Sequence, residues 1–502
     1  MARAELTLDP SFGTGGYVHT AFGPQYDAPR DLLILPDGRI VAAGTSLETD
    51  SGIHIAMARY SANGVLDTLG FGSAGKVRVR FDYRDYANAI GLQGDGSLVV
   101  AGMQMHTNFG SSQIPAVYRF TPNGEVDSGF GVGGTWVSRY DENSTGEHSD
   151  LAILADGRIV AAGCSNSSAN GGIQGFARKL HATDGTQIGA DRIEHNMLTD
   201  RGSAAFTPDG GYVGMNTIVL NGHVEFFLGK MTGAGQPDLS FGPGGFRTTG
   251  CEIKNGYDYK VMILPSGKIL VGATSPKNTF FEKISLFRFS ADGVIDPGFG
   301  TGGRVDLVYA TSNDIFHDMT VDAFGNVIVV GESRSGFLRS LVVRLLPDGV
   351  PDESFAPGGG QVLDLDSASS LITQGAIQPD GRIIVAGSDY NDFVLARFNA
   401  PVTGVADIER PQPIPVALFP NPVRRTAMIE FRLAEPGNVT MALFDGAGRK
   451  VRSLLTGALP AGSHEFRWDG RDDSGLETPD GVYFLKLLTP GAGTTRKLIR
   501  LQ

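Results

Sequence analysis

The stretch Leu32–Gly44 reads LLILPDGRIVAAG, and variants of it occur seven times along the chain. Each copy has an apolar run, a short turn that ends in glycine, and a second apolar run. An Asp-Gly pair between apolar runs favours a β-hairpin, because both residues tolerate the positive φ of a type I′ turn. The turn glycines are spaced by 58, 61, 53, 57, 58 and 56 residues and are Gly38, Gly96, Gly157, Gly210, Gly267, Gly325 and Gly381.

The sequence between successive turns predicts four strands in each repeat. In the second repeat these are Lys76–Phe81, Ala87–Leu92, Ser97–Ala101 and Ala116–Phe120. A turn-rich joint with an aspartate and a Phe-Gly pair then follows, as in Asp127 and Phe130-Gly131. Four strands at a fixed period of this length are typical of the blades of a β-propeller.

The two ends of the repeat region complete one repeat between them. The last copy stops after the strand that ends at Phe398, where a joint is due, and the chain begins with that joint at Leu8–Gly16, followed by a strand at Tyr17–Phe22. An open solenoid would need atypical capping repeats instead. We therefore predict an all-β, seven-bladed propeller over residues 1–399, closed by pairing of residues 6–22 with Val394–Phe398.

Two segments of different composition follow the predicted propeller. Residues 400–415 contain four prolines and few apolar residues, which predicts an extended linker. Residues 416–502 alternate apolar and polar side chains in six or seven short runs separated by turns, which predicts a small immunoglobulin-like β-sandwich. The six runs are Met428–Leu433, Val439–Asp445, Val451–Leu455, His464–Trp468, Tyr483–Leu488 and Thr495–Leu501.

Composition excludes several classes of protein. The formal charge of −12 and the lack of a Lys/Arg cluster argue against a nucleic-acid partner. No apolar run reaches 18 residues, so we predict no membrane span. Cys164 and Cys251 are the only cysteines and lie in different repeats, which makes two unpaired thiols the simpler expectation.

Alternating turns place the loops of a propeller on two faces, and one face is predicted to carry function. The Asp-Gly turns and the joints share a face and vary little, whereas the connections on the other face, the variable face, differ in length and sequence. Binding residues tend to lie on variable loops held by a rigid scaffold. The aromatic and acidic residues that we predict to form a ligand-binding face are Tyr26, Asp27, Tyr83, Asp85, Tyr140, Asp141, Tyr257, Asp258 and Tyr309. Solvated turns are the alternative interpretation of the same residues.

The sequence contains no motif that assigns a reaction. The nine histidines show no zinc spacing, and there is no GxSxG elbow. We predict no metal and no cofactor, with calcium at Asp469–Gly475 or Asp389–Asp392 as the open alternative. A basic residue ends the last strand of every repeat, and we expect these residues to bind carboxylates or carbonyls of a neighbouring blade: Arg59, Arg119, Arg178, Lys230, Arg288, Arg344 and Arg397.

The repeat motif resembles a known family. Leu8–Gly16, Leu33–Gly44 and Val394–Phe398 are similar to the delta-60 repeat of bacterial secreted and surface proteins, over about 400 of the 502 residues. This resemblance implies a β-propeller and no defined reaction.

The C-terminal segment resembles the sorting domain of type IX secretion cargo and, equally, the immunoglobulin-like domain of flagellar hook-capping proteins. The similarity rests on Phe419–Pro422, Leu443–Arg449, Trp468–Gly470 and Gly481–Phe484. It implies the type IX machinery as a partner and a location outside the cell or on its outer surface. Such cargo first needs a signal peptide, and the residues MARAELTLDPSFG have neither its basic nor its apolar region. Either the sequence lacks its natural start, which we favour, or the domain is a surface adhesion module.

Two functions from different classes remain open at this point. The first is a secreted or surface-displayed propeller that acts as a binding or scaffold module for an extracellular glycan or protein. The second is a propeller enzyme, a hydrolase or lyase, that acts on extracellular polysaccharide with acidic residues around the channel. Carboxylates or histidines that cluster on the variable face without repeating from blade to blade would favour the enzyme. Residues equivalent in every blade would favour the scaffold.

Overall fold

The structure is a computed structural model of the whole chain. It describes residues 6–49, 52–105, 113–137, 145–167, 172–197, 203–220, 222–254, 256–278, 280–335, 338–363, 371–389, 391–399, 416–421, 423–433, 437–445, 450–473, 475–489 and 492–501. These residues form β-strands, turns and two single-turn 3-10 helices, Pro243–Gly245 and Pro357–Gly359, with no α-helix among them. The chain divides into two compact units, Met1–Gly404 and Val405–Gln502.

The first unit is a seven-bladed propeller, as predicted. Blade 1 consists of β2 (Asp27–Ile34), β3 (Ile40–Leu47), β4 (Ile53–Tyr60) and β5 (Lys76–Val79). Blade 2 consists of β6 (Arg84–Leu92), β7 (Leu98–Met105), β8 (Gln113–Phe120) and β9 (Thr135–Val137). Blade 3 consists of β10 (Thr145–Ile153), β11 (Ile159–Ser167), β12 (Gly172–Leu180) and β13 (Gln187–Met197). Blades 4 and 5 consist of β14 (Ser203–Phe206), β15 (Tyr212–Leu220), β16 (His223–Met231) and β17 (Phe246–Glu252); and β18 (Tyr259–Ile263), β19 (Ile269–Pro276), β20 (Glu282–Phe289) and β21 (Arg304–Leu307). Blades 6 and 7 consist of β22 (Asn313–Val321), β23 (Val327–Arg334), β24 (Leu338–Leu345) and β25 (Gly360–Leu363); and β26 (Leu371–Ile377), β27 (Ile383–Ser388), β28 (Phe393–Phe398) and β1 (Tyr17–Thr20).

The ring closes where the sequence predicts. Strand β1 pairs antiparallel with β28, from Tyr17 opposite Ala396 to Thr20 opposite Phe393, so the N-terminal strand completes the last blade. The innermost strands contact one another in order, and β26 contacts β2. One buried cluster also joins Phe393 and Leu395 of blade 7 to residues of β3 and β4 in blade 1. Apolar burial at this seam therefore reinforces the strand pairing.

The sequence repeat and the structural blade differ in phase by one strand. The strand predicted as the first of each repeat pairs with the preceding blade and forms its outer edge; Lys76–Val79, for example, pairs with β4.

The hairpin turns also differ from the predicted type I′. In the first hairpin Gly38 has positive φ (86°), whereas Pro36 and Asp37 do not, so the turn is a type I turn followed by a left-handed glycine.

Three of the basic residues that end the third strands connect neighbouring blades: Arg59, Arg288 and Arg397. Arg59 donates to the Asp67 carboxylate of its own joint at 2.9 Å and to the carbonyl oxygen of Pro122 in the next blade at 2.6 Å. Its guanidinium lies 4.7 Å from the ring centre of Phe71. Arg397 repeats the pattern across the seam with Asp9 and Ala62. The structure thus confirms the predicted carbonyl contacts between blades for Arg59, Arg288 and Arg397, and it shows that their carboxylate partner lies in the same blade.

Five innermost strands carry a β-bulge near their start. In β6 the pairing shifts between Ala87 and Ala89, so Asn88 is the extra residue, and Gly102 of β7 lies opposite the bulge. A Cβ atom on Gly102 would lie 1.9 Å from the carbonyl oxygen of Tyr86. Blades 1, 3, 6 and 7 have the same bulge and the same glycine, at Gly44, Gly163, Gly331 and Gly387. Blade 5 has no bulge and has Ala273 there. The glycine that ends the motif in these five blades therefore makes room for the bulge.

The second unit is an immunoglobulin-like sandwich with its own core. Its two antiparallel sheets follow the orders β29-β30-β33 and β32-β31-β34-β35. The strands are β29 (Val416–Phe419), β30 (Ala427–Leu433), β31 (Gly437–Asp445), β32 (Lys450–Leu459), β33 (Gly462–Trp468), β34 (Gly481–Thr489) and β35 (Ala492–Arg500). Trp468, Met441, Leu443 and Leu485 are buried in the core between the sheets.

Candidate functional site

The seven innermost strands line a cavity of about 210 Å³ in the central channel. Because these strands begin at the variable face, the order of residues along each strand gives their depth from that face. The lining residues from the mouth inward are Tyr86, Glu147 and Asp258; then the bulge-level residues Arg30, Asn88, Ser149, Tyr259 and His317; and then the deepest ring of Asp31, Asp150, Ser203, Lys260, Asp318 and Gln374. Polar and charged side chains thus dominate the cavity.

The deepest ring has a structural role in several blades. Asp31 accepts a hydrogen bond from the Ile90 amide of the next blade at 2.8 Å. Asp150 and Asp318 do the same for Ala204 and Gly375, at 2.8 and 3.0 Å. Ser203 accepts from the amide of Val261 at 3.0 Å. These side chains therefore connect neighbouring innermost strands.

Lys260 places an ammonium group among three of these carboxylates. Its Nζ lies 3.3 Å from Oδ1 of Asp318, and 32% of its side-chain surface remains accessible, since it lines the cavity. The charge of Asp318 is the main cause that raises the pKa of Lys260 above its ordinary value, and Asp150 and Asp31 add to it. Burial raises the pKa of Asp31 to about 6, although Lys260 acts in the opposite direction. One ammonium only partly compensates three carboxylates.

His317 lies between two carboxylates of different blades. Its Nδ1 is 2.7 Å from Asp258 of blade 5, and its Nε2 is 3.4 Å from Glu332 of β23. Burial alone lowers the pKa of His317, but the two carboxylates outweigh burial and raise it to about 9. The imidazole is therefore a cation at neutral pH, with both ring N–H groups directed at protein carboxylates.

Asp27 and Asp85 lie at the variable face, but the structure buries their side chains beneath its loops. Both are fully buried. Asp27 accepts from the Phe22 amide at 2.7 Å, and Asp85 accepts from the amides of Phe81 and Asp82 at 2.7 and 2.9 Å. Asp314, absent from the predicted set, holds the loop at Tyr309 and Ala310 in the same way. A carboxylate that recurs at the start of several blades and accepts hydrogen bonds from loop amides has a structural role.

The other predicted residues are dispersed around the face. Tyr26 is exposed, Tyr83 stacks with Arg84, and Tyr309 donates to the carbonyl oxygen of Gly358 at 2.6 Å. Asp258 lines the cavity, and Tyr257 precedes it. Burial, followed by the charge of Glu282, raises the pKa of Tyr257. Tyr140 and Asp141 lie outside the described residues. Of the predicted set, only Asp258 contributes a described side chain to the cavity.

One group of potential metal ligands comes together at the seam. His19 of β1 meets Asp389 and Asp392 of the β27–β28 loop, and ligand atoms of the three lie within 4.8 Å of one another. It is the one group of three or more such ligands among the residues that the structure describes. Two carboxylates from this loop were predicted as a calcium alternative, and calcium binding there stays a prediction. The loop at Asp469–Gly475 is tied internally, with Asp472 accepting from Leu476 at 3.0 Å.

Sequence reasoning missed the deepest ring of the channel, although a signal for it exists. Asp31, Asp150, Ser203, Lys260, Asp318 and Gln374 each lie seven residues before a turn glycine. A polar residue at a constant distance from the turn marks the channel side of the innermost strand. The pairing of His317 with Asp258 and Glu332 has no such signal, because the three residues are not close in sequence.

Burial of Asp31 predicts a measurable pH dependence. Its folded-state pKa of about 6 lies above the 3.8 of an unperturbed aspartate, so the folded protein binds more protons between these values and the free energy of unfolding falls as the pH rises through this window. Asp31→Asn keeps an acceptor for Ile90 but carries no charge, so its stability should fall less over the same window. Urea unfolding at several pH values measures this difference. A slope equal to that of the wild type, or an equal change in the exposed-turn variant Glu125→Gln, would contradict the assignment.

Comparisons with known proteins match the two units separately. A β-propeller family, domain of unknown function DUF5122, matches residues 35–69, 93–130, 325–355 and 378–400, and the FlgD Ig-like domain family matches residues 424–490. The basal-body rod modification protein FlgD of Salmonella typhimurium is 37% identical over 73 residues, which are 14% of this chain and 32% of that protein. The chain thus spans about a third of the length of this curated relative.

Solved structures show likeness at low identity. PorZ of Porphyromonas gingivalis, described as an essential surface component of the type-IX secretion system, is 12% identical with a TM-score of 0.23, over 99% of this chain and 87% of PorZ. The polysaccharide lyase Uly1 is 10% identical with a TM-score of 0.42, over 80% of this chain and 98% of the lyase. At these values neither likeness bears on what this chain binds.

No helix in the described part of the chain is both long enough and apolar enough to cross a membrane.

Proposed function

We propose that this protein is a secreted or surface-displayed binding module that holds a glycan at the mouth of the propeller channel. The observation that supports this proposal is the cavity of about 210 Å³, lined by polar and charged side chains of all seven innermost strands. These side chains do not repeat from blade to blade, which by itself favours an enzyme, but the contacts of His317 favour binding. Asp258, Glu147 and Tyr86 at its mouth offer carboxylate and phenol groups that suit a hydroxyl-rich ligand. On the same face of blade 5, Phe280 and Phe281 are exposed and add apolar surface.

The geometry of His317 favours binding over catalysis. A general base needs a free nitrogen that titrates near the working pH. His317 is protonated at neutral pH, and both its ring nitrogens lie at carboxylates of the protein. The observation that keeps an enzyme as the second candidate is Asp31, because a cavity carboxyl group with a pKa of about 6 could exchange protons with a polysaccharide.

A glycan-array screen with the full chain tests the binding proposal. We expect saturable binding without product release, and a loss of at least about tenfold in affinity for His317→Leu, since that change leaves the Asp258 carboxylate at the cavity and the buried Glu332 carboxylate without their shared cation. The control Arg158→Leu alters an exposed ion pair on the opposite face and should bind as the wild type does. Product release would establish the enzyme instead. A screen without any bound glycan would overturn both candidates.

We also propose that the C-terminal unit directs export through the type IX machinery. Support comes from its immunoglobulin-like fold and from the motifs of residues 416–502 that resemble sorting domains. In a bacterium with this machinery, a reporter that carries a signal peptide and residues 405–502 should reach the medium or the outer surface. The same reporter without residues 405–502 should stay in the periplasm. Equal retention of both reporters would refute the export role.

A further inference from the structure

Three potential metal ligands from two distant parts of the chain converge at the seam of the propeller. His19 lies on β1, and Asp389 and Asp392 lie in the loop between β27 and β28 of the same blade. One ligand atom from each of the three side chains lies within 4.8 Å of the other two. Nδ1 of His19 is 3.1 Å from Oδ2 of Asp389. Two tetrahedral zinc ligands at about 2.1 Å from the ion lie about 3.4 Å apart, so this pair already has a suitable spacing.

The loop orients one of the two carboxylates toward the imidazole. Oδ1 of Asp389 accepts hydrogen bonds from the amides of Asp392 and Asn391, at 2.9 and 3.3 Å, and Oδ2 is the atom that lies at His19. The side chains of His19 and Asp389 are 33% and 19% exposed, so an ion can reach them from solvent. Hydrogen bonds that fix a ligand in this way strengthen metal binding.

The equivalent position in two other blades carries an ordinary ion pair. His19 is the third residue of an outermost strand, as are Arg78 in blade 1 and Asp306 in blade 5. Arg78 pairs with Glu48, and Asp306 lies 2.8 Å from Nζ of Lys283. Those blades bring together side chains of opposite charge. Blade 7 instead brings two carboxylates to one imidazole, which is a set of metal ligands.

One basic side chain, Lys76 of blade 1, acts electrostatically on Asp392 without binding the group. The charge of Lys76 is felt at Asp392. Its Nζ atom, however, donates to the carbonyl oxygen of Ala21 at 2.9 Å and lies 6.0 Å from the ring centre of Phe22. Lys76 therefore does not take the place of an ion between the carboxylates.

The chemistry of the three ligands favours zinc over calcium. Calcium takes about six to eight oxygen ligands, and an imidazole nitrogen is not among the atoms it prefers. Zinc binds imidazole and carboxylate together, and three protein ligands with one water complete its tetrahedral shell.

We infer that His19, Asp389 and Asp392 bind a zinc ion that fastens the N-terminal strand to the last blade. His19 and Asp389 are 370 residues apart in the sequence, so the unfolded chain does not hold these ligands together. An ion that binds the folded ring in preference to the unfolded chain stabilises the ring. The inference is independent of what the channel binds, because the site lies at the seam.

The test is calorimetric titration of the full chain with zinc chloride after treatment with EDTA. We expect one ion to bind at this site, and its affinity to fall at least about tenfold in His19→Ala and in Asp392→Asn. Saturating zinc should raise the melting temperature by about 3 °C or more, EDTA should reverse this rise, and amide exchange in β1 should slow. The control His223→Ala removes an exposed imidazole that lies 3.0 Å from a single carboxylate, Glu252, and should bind zinc as the wild type does.

Each outcome decides the assignment. Zinc affinity that is unchanged in both His19→Ala and Asp392→Asn would place the ion elsewhere and overturn the inference. Stabilisation by calcium chloride but not by zinc chloride would refute the identity of the ion, and unchanged exchange in β1 would refute the role at the seam. Melting curves in EDTA show whether the variants fold. Asp392→Asn keeps the size of a loop side chain, so it decides the question if His19→Ala disturbs β1.

Discussion

Replacing Arg397 by leucine is expected to lower the free energy of unfolding of the propeller by about 3 kcal/mol, the lower end of the range for breaking a buried ion pair, because Asp9 keeps a second partner in Arg382. The Arg397 side chain is fully buried and lies 2.8 Å from Asp9, which is itself only 7% exposed. It also donates to the carbonyl oxygen of Ala62 in blade 1 at 2.6 Å and to Ser11 at 2.9 Å. One side chain therefore joins the last blade, the N-terminal segment and the first blade.

The measurement is urea unfolding of the full chain, with hydrogen exchange of β1 as a local readout. The matched control is Arg158→Leu, whose ion pair with Asp156 is exposed and should cost less than about 1 kcal/mol. Asp9→Asn combined with Arg397→Leu should cost less than the sum of the two single changes, because the two side chains share one contact, while Asp9 also lies 2.8 Å from Arg382. Equal effects of the two arginine substitutions would mean that the seam does not depend on this contact.

Replacing Gly102 by alanine is expected to cost about 3 kcal/mol of stability, at the upper end of the range for overpacking a closed site. The new Cβ would meet the Tyr86 carbonyl oxygen at 1.9 Å, and that oxygen belongs to the backbone of a buried strand and cannot rotate away. Relief requires removal of the bulge at Asn88, which would shift Asn88 relative to the channel. The natural counterpart is blade 5, where Ala273 occupies this position and the bulge is absent.

Gly94 supplies the control for this substitution within the same blade. It precedes the turn at Gly96, and a Cβ there would have no atom within 4 Å. Gly94→Ala should therefore change stability by no more than about 0.5 kcal/mol. Urea unfolding of the two variants measures the difference. If Gly102→Ala were as stable as Gly94→Ala, the bulged register of β6 and β7 would be wrong.

Local chemistry explains why much of the fold could be predicted from the sequence. A turn glycine between apolar runs specifies a hairpin with information from a few residues, and seven copies at one period specify a propeller. The joint at Leu8–Gly16 and the strand before Asn399 each lack a partner unless the ring closes, and the pairing of Tyr17 with Ala396 confirms that closure. The alternation in the C-terminal unit likewise predicted six of its seven strands.

The sequence by itself thus determined the blade count, the closure and the two fold classes, because these depend on neighbours along the chain. Only the tertiary structure decided which charged groups share the channel. Asp27, Asp85 and Asp258 are all aspartates, but Asp27 and Asp85 are buried under loop amides, whereas Asp258 lies at the cavity. His317 acquires its charge from carboxylates 59 residues before it and 15 after it. The burial and charge of these groups depend on side chains that are distant in the sequence and that the fold brings together, so no local sequence pattern predicts them.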